Sequence, residues 1–420
     1  MSGYFIWTIG CQMNKAESQR LAGCLDAAGY HQVSSPGEAD LVVLNTCVVR
    51  QSAEDRVRGM LGQLQGLKRE RPDTRILVTG CFVDSDIKGL KRRFPHVDFF
   101  FKPGAYPDFL TWTEEQGIPA INCPEAASSP CAFIPIIQGC NNFCSFCIVP
   151  YRRGREVSRP LEEVFCEAEQ MARQGAREIT LLGQNVNSYG HDLPGKPDLA
   201  DLLYRLNGIP GLLRIRFLTN HPRDVTPKLL KAVASLDRVC KYLELPLQSG
   251  DDDILRAMRR GYTTAQYREL IHTARELLPQ AALTTDVIVG FPGETGEQFE
   301  HTFSLLKEVR FDVIHIAAYS PRSGTIAARE YKDDVPPGVK EERFRKVEEL
   351  HASIAAEINS GYVGKEVEVL VEGARKGKWF GRSEGNKLVF FPRNGAELLA
   401  QLVKVRIEKS SPWALQGRYE

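Results

Sequence analysis

The stretch that decides the fold is IQGCNNFCSFCIVP, residues 137–150. Its three cysteines, Cys140, Cys144 and Cys147, are spaced by four and three residues, which places three thiols around one point. The Asn and Ser residues between them are typical of a loop rather than of a buried core. A tetrahedral zinc site needs a fourth Cys or His, and residues 148–162 contain neither. The spacing favours a [4Fe–4S] cluster in which one iron has no protein ligand.

Six strand-like runs separated by helical stretches accompany this loop between residues 133 and 320. They are FIPII, EITLLG, LLRIRFLT, KYLELPL, ALTTDVIVGF and VIHIAAY. Parallel strands joined by right-handed crossovers place their functional loops at the carboxyl ends of the strands. The sequence therefore predicts a partial (β/α)6 barrel over residues 133–359, whose last part is a charged bridging helix.

Residues 1–122 show a second alternation of strands and helices. The strands YFIWTIG, ADLVVLN and TRILVTG are almost continuously apolar, which is typical of a parallel sheet covered on both faces. Each strand is followed by a cysteine: Cys11, Cys47 or Cys81. Because the carboxyl ends of parallel strands lie at one edge of a sheet, we predict that these thiols form a second metal site, again with three ligands.

The rest of the chain predicts a linker and a small β domain. Residues 123–132 are rich in Pro, Ser and Ala, as linkers are. Residues 361–420 alternate polar and apolar positions around the turn SEGNK. They hold 11 Lys and Arg against 7 Asp and Glu, although the whole chain has a net charge of only +1. The fold class is therefore α/β, with an N-terminal parallel α/β domain, a central partial barrel and a C-terminal all-β barrel.

The composition limits the cellular setting. The N-terminus lacks the basic region of a signal peptide, and no uncharged run approaches the ~20 residues that span a bilayer. We expect a cytoplasmic monomer with no membrane partner. In a reducing compartment, 11 cysteines are more typical of metal ligands than of a disulfide framework.

The motifs together resemble the radical S-adenosylmethionine (SAM) methylthiotransferase family. The matching stretches are GCQMNKAES, LNTCVVR, VTGC, GCNNFCSFCIVPYRRGREVSRP, LLGQNVNSYG, LPLQSGDDDILRAMRRGYT, TDVIVGFPGET and YSPRSGT. GCQMN and PYRRGREVSRP are most similar to its bacterial tRNA branch, which converts N6-isopentenyladenosine at position 37 of tRNA to the 2-methylthio form. Residues 361–420 resemble the TRAM domain, an RNA-binding β-barrel.

The resemblance implies two [4Fe–4S] clusters and SAM as cofactors. The cluster at Cys140, Cys144 and Cys147 would cleave SAM to a radical, and the cluster at Cys11, Cys47 and Cys81 would hold the sulfur. No catalytic side chain is implied beyond the cluster ligands. The implied partners are the anticodon stem-loop of tRNA and an electron donor such as flavodoxin or ferredoxin, and the sulfur donor stays open.

Further residues are candidates for cofactor and RNA contacts. The SAM candidates lie just before the third cysteine of the loop or at the ends of the second and fourth barrel strands: Phe146, Gly183, Gln184, Asn185, Gln248 and Ser249. Arginine suits phosphate, and basic groups mixed with aromatic rings suit single-stranded RNA. The RNA candidates are Arg152, Arg153, Arg155, Arg375, Lys376, Lys378, Trp379 and Arg382.

The sequence leaves two other functions open. The same architecture methylthiolates threonylcarbamoyl-adenosine in tRNA or a ribosomal protein, although GCQMN disfavours both. A non-catalytic, zinc-bearing RNA-binding protein is an alternative of another class.

Overall fold

The computed structural model describes residues 2–49, 51–84, 86–118 and 129–419. The chain divides into two compact units, each with three segments. The first comprises Met1–Ala127, Gln138–Asn141 and Cys147–Glu156, and the second comprises Ser128–Ile137, Asn142–Phe146 and Val157–Glu420. Of the predicted linker, residues 123–128 lie outside the described residues.

The first unit is built on a parallel five-stranded sheet in the order β2-β1-β3-β4-β5. Its strands are β1 Gly3–Thr8, β2 His31–Gln32, β3 Leu41–Thr46, β4 Arg75–Gly80 and β5 Phe99–Phe100. Its helices before the cysteine loop are α1 Gln12–Ala27, α2 Gln51–Glu70, α3 Ile87–Arg93 and α4 Tyr106–Glu115. The predicted parallel α/β domain is confirmed.

Helices cover both faces of this sheet. Successive side chains of a strand point to opposite faces, so Val42 and Leu44 pack in one core and Leu41 and Val43 in the other. All six residues of β3 are buried. This two-sided burial explains why the central strands are apolar at nearly every position.

The second unit contains six parallel barrel strands in two sheets, β10-β9-β6 and β11-β12-β13. A parallel bridge between Ile215 and Val239 joins the end of one sheet to the start of the other. The predicted partial (β/α)6 barrel is confirmed. Its first strand begins at Cys131, so residues 131–132 belong to the sheet and not to the linker that we predicted there.

The strands from Cys131 to the end of the barrel are β6 Cys131–Pro135, β7 Ile137–Gln138, β8 Val157–Ser158, β9 Glu178–Leu182, β10 Arg214–Phe217, β11 Tyr242–Glu244, β12 Ala282–Val289 and β13 Val313–Ala318. The helices are α5 Val149–Arg153, which belongs to the first unit, and α6 Leu161–Arg173, α7 Leu199–Leu206, α8 Pro227–Ser235, α9 Asp252–Ala257, α10 Thr264–Leu277, α11 Gly296–Val309, α12 Ile326–Glu330 and α13 Pro337–Ser360.

The second unit ends in a closed barrel in the order β14-β15-β16-β18-β17. Its strands are β14 Glu366–Arg375, β15 Lys378–Ser383, β16 Leu388–Pro392, β17 Leu402–Ser410 and β18 Leu415–Tyr419. A buried ion pair of 2.7 Å between Lys387 and Asp312 joins this barrel to the residues just before β13. Arg216 donates to the carbonyl oxygens of Ser383 and Glu384, each at 2.7 Å.

Among the described residues, none of the helices combines the length and the apolar character that a membrane crossing requires.

Candidate metal centres and cofactor site

The first unit brings Cys11, Cys47 and Cys81 to one edge of its sheet. Strands β1, β3 and β4 are neighbours, and Thr46 is paired in register with Gly80, so Cys47 and Cys81 follow directly after a pair of partners. Burial and the nearby thiols of Cys81 and Cys11 raise the pKa of the Cys47 thiol to about 11. The structure therefore brings the three strand ends to one edge of the sheet, and the metal site at these thiols stays a prediction.

Gly80 allows the close approach of β3 and β4 at this edge. Its φ is +89°, a conformation that residues with a side chain rarely adopt, and a Cβ there would lie 2.3 Å from the carbonyl oxygen of Thr46. Glycine at this position lets the chain turn so that Cys81 comes beside Cys47.

A buried polar network surrounds the three thiols, and the sequence did not reveal it. Asn14 donates from Nδ2 to the carbonyl oxygen of Thr46 at 2.8 Å and to Oδ1 of Asn45 at 2.9 Å. Arg153 donates to Oε1 of Glu17 at 2.7 Å, and the exposed fractions of the two side chains are 2% and 7%. Asn14 and Glu17 belong to GCQMNKAES, so the signal was present, but nothing in the sequence pairs them with Arg153.

Arg153 is therefore not an RNA contact, contrary to our prediction. Burial lowers its pKa, but the charges of Glu17 and Cys81 outweigh this and raise the pKa well above its ordinary value. The guanidinium also acts on Cys81, where its charge and hydrogen bond oppose the rise in thiol pKa that burial causes. Arg153 thus favours a thiolate at Cys81, which is the form that binds a metal.

The other two arginines of this run differ in accessibility. Arg152 forms a 2.9 Å ion pair with Asp84, and its side chain is only 20% exposed. Arg155 is exposed and donates to Oδ1 of Asn141 at 3.4 Å. Of the three predicted RNA contacts, Arg155 is the one whose side chain is open to solvent.

The first part of the cysteine loop is held by its own backbone. Gly139 has a φ of +82°, and a Cβ there would lie 2.0 Å from the carbonyl oxygen of Arg155. The N–H of Cys140 donates to the carbonyl oxygen of Gly154 at 3.1 Å. Glycine before Cys140 is therefore required for the crossing of these two segments.

The central part of the loop is anchored in the second unit. The Sγ of Cys144 accepts a hydrogen bond from Nη1 of Arg260 at 3.2 Å. Ser145 donates from its N–H to Met258 and from its hydroxyl to Ala257, at 3.0 and 2.7 Å. Phe146 packs against a buried apolar cluster that includes Met258. These contacts hold the central part of the loop on the second unit.

Buried polar atoms without partners collect after the barrel strands. They follow β9, β10 and β11, and among the described residues no hydrogen-bond partner exists for Asn185 Oδ1, Asn220 Oδ1, His221 Nε2 or Gln248 Oε1. A buried polar atom without a partner costs free energy, so such a group indicates a ligand site. These atoms fit the amino, carboxylate and ribose groups of SAM, which need donors and acceptors.

His221 was not predicted, although TNHP follows a barrel strand directly. Its Nδ1 accepts the N–H of Arg223 at 3.3 Å. Burial and the charges of Arg260 and Arg223 lower the pKa of its imidazole to about 2. The ring is therefore neutral, and its proton lies on the unpartnered Nε2, which is a donor.

The remaining SAM candidates differ in what they contact. Gly183 is tightly packed, since a Cβ there would lie 2.5 Å from a side-chain carbon of Ile137. Gln184 is half-buried. Ser249 is fully buried, and its hydroxyl bonds to Oγ1 of Thr302 at 3.3 Å and accepts the N–H of Asp251. Ser249 therefore supports its own loop, and its contact with SAM stays a prediction.

The C-terminal barrel corrects one RNA contact. Trp379 is 2% exposed and packs in the barrel core, so its ring cannot stack on a base. Arg375, Lys376 and Lys378 are exposed at the turn between β14 and β15. Arg382 is half-buried and pairs with Glu372 at 3.5 Å.

Each predicted metal site offers three cysteine thiols, and cysteine thiolates are the usual ligands of [4Fe–4S] clusters. Within the described ranges, no three Cys, His, Asp or Glu side chains are grouped closely enough to hold a single metal ion, so both cluster sites stay predictions. Cys11, Cys47 and Cys81 would hold one such cluster, and Cys140, Cys144 and Cys147 the other.

Comparisons with known protein families agree along the chain. Residues 134–306 match the Radical SAM superfamily, residues 3–102 match the Uncharacterized protein family UPF0004, and residues 361–419 match the TRAM domain. The radical SAM match supports the use of a cluster and SAM, and it disfavours the zinc-bearing RNA-binding protein.

Two solved structures share the fold. TsrM, a radical SAM methyltransferase from Kitasatospora setae with cobalamin and a [4Fe-4S] cluster bound, has a TM-score of 0.56 and 16% identity, over 78% of this chain and 77% of that one. OxsB, a cobalamin-dependent SAM radical enzyme, has a TM-score of 0.53 and 11% identity, over 83% of this chain and 56% of that one.

Curated relatives are similar over the full length. A tRNA-2-methylthio-N(6)-dimethylallyladenosine synthase of Dehalococcoides mccartyi is 51% identical, over 100% of this chain and 98% of that protein. A protein of the same name from Chloroflexus aurantiacus is 48% identical, over 99% and 91% of the two chains. At this identity and coverage, the chain belongs to the radical SAM methylthiotransferase family that includes the tRNA-2-methylthio-N(6)-dimethylallyladenosine synthases.

Proposed function

We propose that the protein adds a methylthio group to C2 of N6-isopentenyladenosine at position 37 of tRNA. The observation that carries this proposal is the meeting of Cys11, Cys47 and Cys81 at one sheet edge, in a chain that also has the radical SAM cysteine loop. One three-cysteine site accounts for SAM cleavage, and the second accounts for the delivery of sulfur.

The reaction requires cofactor chemistry, because C2 of adenine carries an unactivated C–H bond that no side-chain base removes near neutral pH. With both clusters bound, the cofactors would supply a carbon radical from one SAM to take the hydrogen from C2, and a cluster-held sulfur that has received a methyl group from another SAM to replace it. The protein's own groups hold and orient the reactants. The neutral His221 offers a donor, and the amide oxygens of Asn185, Asn220 and Gln248 offer acceptors for SAM.

The protein also controls the N-terminal thiols. Arg153 supplies the positive charge that favours the Cys81 thiolate, and Glu17 compensates that charge within the buried network. Asn14 lies beside Cys11, whose Sγ is 3.3 Å from Oδ1 of Asn14. This region therefore provides a rigid, charged setting for three metal-binding thiolates.

The tRNA contacts that we propose are all exposed cations. Arg155 follows the cysteine loop, and Arg375, Lys376 and Lys378 lie on one turn of the C-terminal barrel. These side chains suit the phosphates of an anticodon stem-loop. An external one-electron donor such as flavodoxin or ferredoxin completes the reaction.

Iron analysis and a cysteine variant test this function. Anaerobically reconstituted protein should bind about eight irons and eight sulfides per chain, since two [4Fe–4S] clusters hold that many. Replacing Cys11, Cys47 and Cys81 together by Ala should halve the iron content, leave SAM cleavage intact and abolish methylthiolation. Stoichiometric zinc without absorbance near 400 nm would refute the proposed enzymatic function.

The substrate is tested in tRNA. Nucleosides from a strain that lacks the gene should lose 2-methylthio-N6-isopentenyladenosine and regain it when the gene is restored. An unchanged level of this nucleoside would exclude the proposed substrate, and loss of 2-methylthio-threonylcarbamoyl-adenosine would assign the other tRNA branch.

A further inference from the structure

The guanidinium of Arg260 is buried beside a thiol of the cysteine loop. Arg260 is 5% exposed, and its Nη1 donates to Sγ of Cys144 at 3.2 Å. Its Nε donates to the hydroxyl of Tyr262 at 3.2 Å, and its Nη2 donates to the carbonyl oxygen of Pro246 at 3.0 Å. Each of the three guanidinium nitrogens therefore has a partner, and one of them is held against Cys144.

Within the part of the chain that the structure describes, this buried cation has no carboxylate partner. Among the described residues, no Asp or Glu oxygen lies within the 4.0 Å that defines an ion pair with Arg260. The hydroxyl of Tyr262 is no counter-ion, because burial raises its pKa and keeps it protonated. A buried charge without an opposite charge is strongly destabilising. The sulfur of Cys144 is in contact with this cation at 3.2 Å, and a cysteine that binds a cluster does so as the thiolate.

We propose that Arg260 is a positioning residue for the cluster at Cys140, Cys144 and Cys147, where its hydrogen bond to the Cys144 thiolate raises the reduction potential of the cluster. The inference rests on the proposed function, because it requires a cluster at these cysteines. It adds a role in tuning the cluster for Arg260, which lies 116 positions after Cys144 in the chain.

The direction of the effect follows from charge. Hydrogen bonds to the sulfurs and the net charge around a cluster set its reduction potential. Reduction adds one negative charge, so a fixed cation at a ligand sulfur stabilises the reduced state more than the oxidised state. Arg260 would therefore make the cluster easier to reduce before it meets SAM.

The test is a redox titration followed by electron paramagnetic resonance. It uses the full-length chain with Cys11, Cys47 and Cys81 replaced by Ala, so that one cluster gives the signal. Arg260→Leu should shift the reduction equilibrium at least tenfold against the reduced cluster, which is about 59 mV more negative for a one-electron couple. The reduction potential of Arg260→Lys should lie between those of Arg260→Leu and of the parent protein that keeps Arg260, because an ammonium cannot contact Cys144, Tyr262 and Pro246 together.

The matched control is Arg256→Leu, an arginine on α9 whose side chain is 76% exposed and pairs with Asp253. The reduction potential of the Arg256→Leu protein should equal that of the parent protein. A parent-like potential in Arg260→Leu would overturn the proposal. If Arg260→Leu does not fold, a parent-like potential in Arg260→Lys would overturn it.

Two further outcomes separate this inference from the proposed function. Loss of iron from both Arg260 variants, with an unchanged circular dichroism spectrum, would also overturn the effect on potential and assign Arg260 to cluster retention. A wild-type chain that binds no iron would refute the proposed function, whereas an intact cluster with an unmoved potential would refute only the role of Arg260.

Discussion

Replacing Arg153 by Leu should destabilise the first unit by about 3–5 kcal/mol. The reason is that Glu17 would keep a buried carboxylate without its cation, and removing one partner of a buried ion pair costs this much. The pair is well buried, with exposed side-chain fractions of 2% and 7% and a nitrogen–oxygen distance of 2.7 Å. Asn14 would lose a 3.4 Å hydrogen bond as well.

Hydrogen–deuterium exchange measures this loss locally. The slowest amides of β3 and β4 report the opening free energy of the sheet beside the network. In reduced, iron-free protein, Arg153→Leu should accelerate their exchange by about 150- to 5,000-fold, which corresponds to 3–5 kcal/mol. Iron-free protein is used because a bound cluster would add its own stabilisation.

Two controls isolate the buried charge. Arg58→Leu removes an exposed pair with Glu54 on α2, where the side chains are 47% and 22% exposed, and should cost less than about 1 kcal/mol. The double variant Arg153→Leu with Glu17→Leu should recover most of the loss, because no charge stays unpaired. Exchange in Arg153→Leu within about fivefold of the wild type would refute the reasoning, since that is about 1 kcal/mol.

Three other predictions concern the second unit. Replacing Arg375, Lys376 and Lys378 by Ala should weaken tRNA binding and lower the slope of log K against log salt by about one per lost phosphate contact. A filter-binding titration measures this slope, and an unchanged slope would show that this turn does not contact the tRNA phosphates. Trp379→Ala should destabilise the C-terminal barrel by about 3–5 kcal/mol, because the ring fills its core. A thermal melt measures the loss, and the control is Trp413→Ala, because Trp413 is 59% exposed. Burial and the neighbouring Asp286 raise the pKa of Glu244 to about 7, so the folded state binds more protons than the unfolded state between pH 4.5 and 7. As the pH rises through this window, the free energy of unfolding of the wild type should fall relative to that of Glu244→Gln. Urea denaturation measures both free energies, and an equal difference between the two proteins at pH 5 and at pH 8 would contradict the prediction.

Local patterns determined most of the architecture. The long apolar runs predicted β1, β3, β4 and the six barrel strands, because burial on two faces requires apolar residues at nearly every position. Strands β2 and β5 were not predicted, since two residues each are too short to show a period. The meeting of Cys11, Cys47 and Cys81 was predictable because strand direction in a parallel sheet fixes which ends share an edge.

Only the tertiary structure decided what individual side chains do. Arg152, Arg153 and Arg155 look alike in sequence. In the structure, Arg152 pairs with Asp84, Arg153 is buried against Glu17, and Arg155 is exposed to solvent. Trp379 sits among basic residues, but the alternation of β15 turns its ring into the barrel. Neither outcome is visible in a local pattern, because accessibility depends on what packs against the residue.

The sequence by itself determined the long strands of the two sheets and the resemblance to the family, and it predicted the two cysteine triads. The tertiary structure decided which charges serve those thiols: Arg153 reaches Glu17 across 136 positions, and Arg260 reaches Cys144 across 116. Periodicity and turn residues act over a few positions, and so they can be read directly. A buried charge finds its partner only when distant segments pack together, because burial makes an unpaired charge so costly.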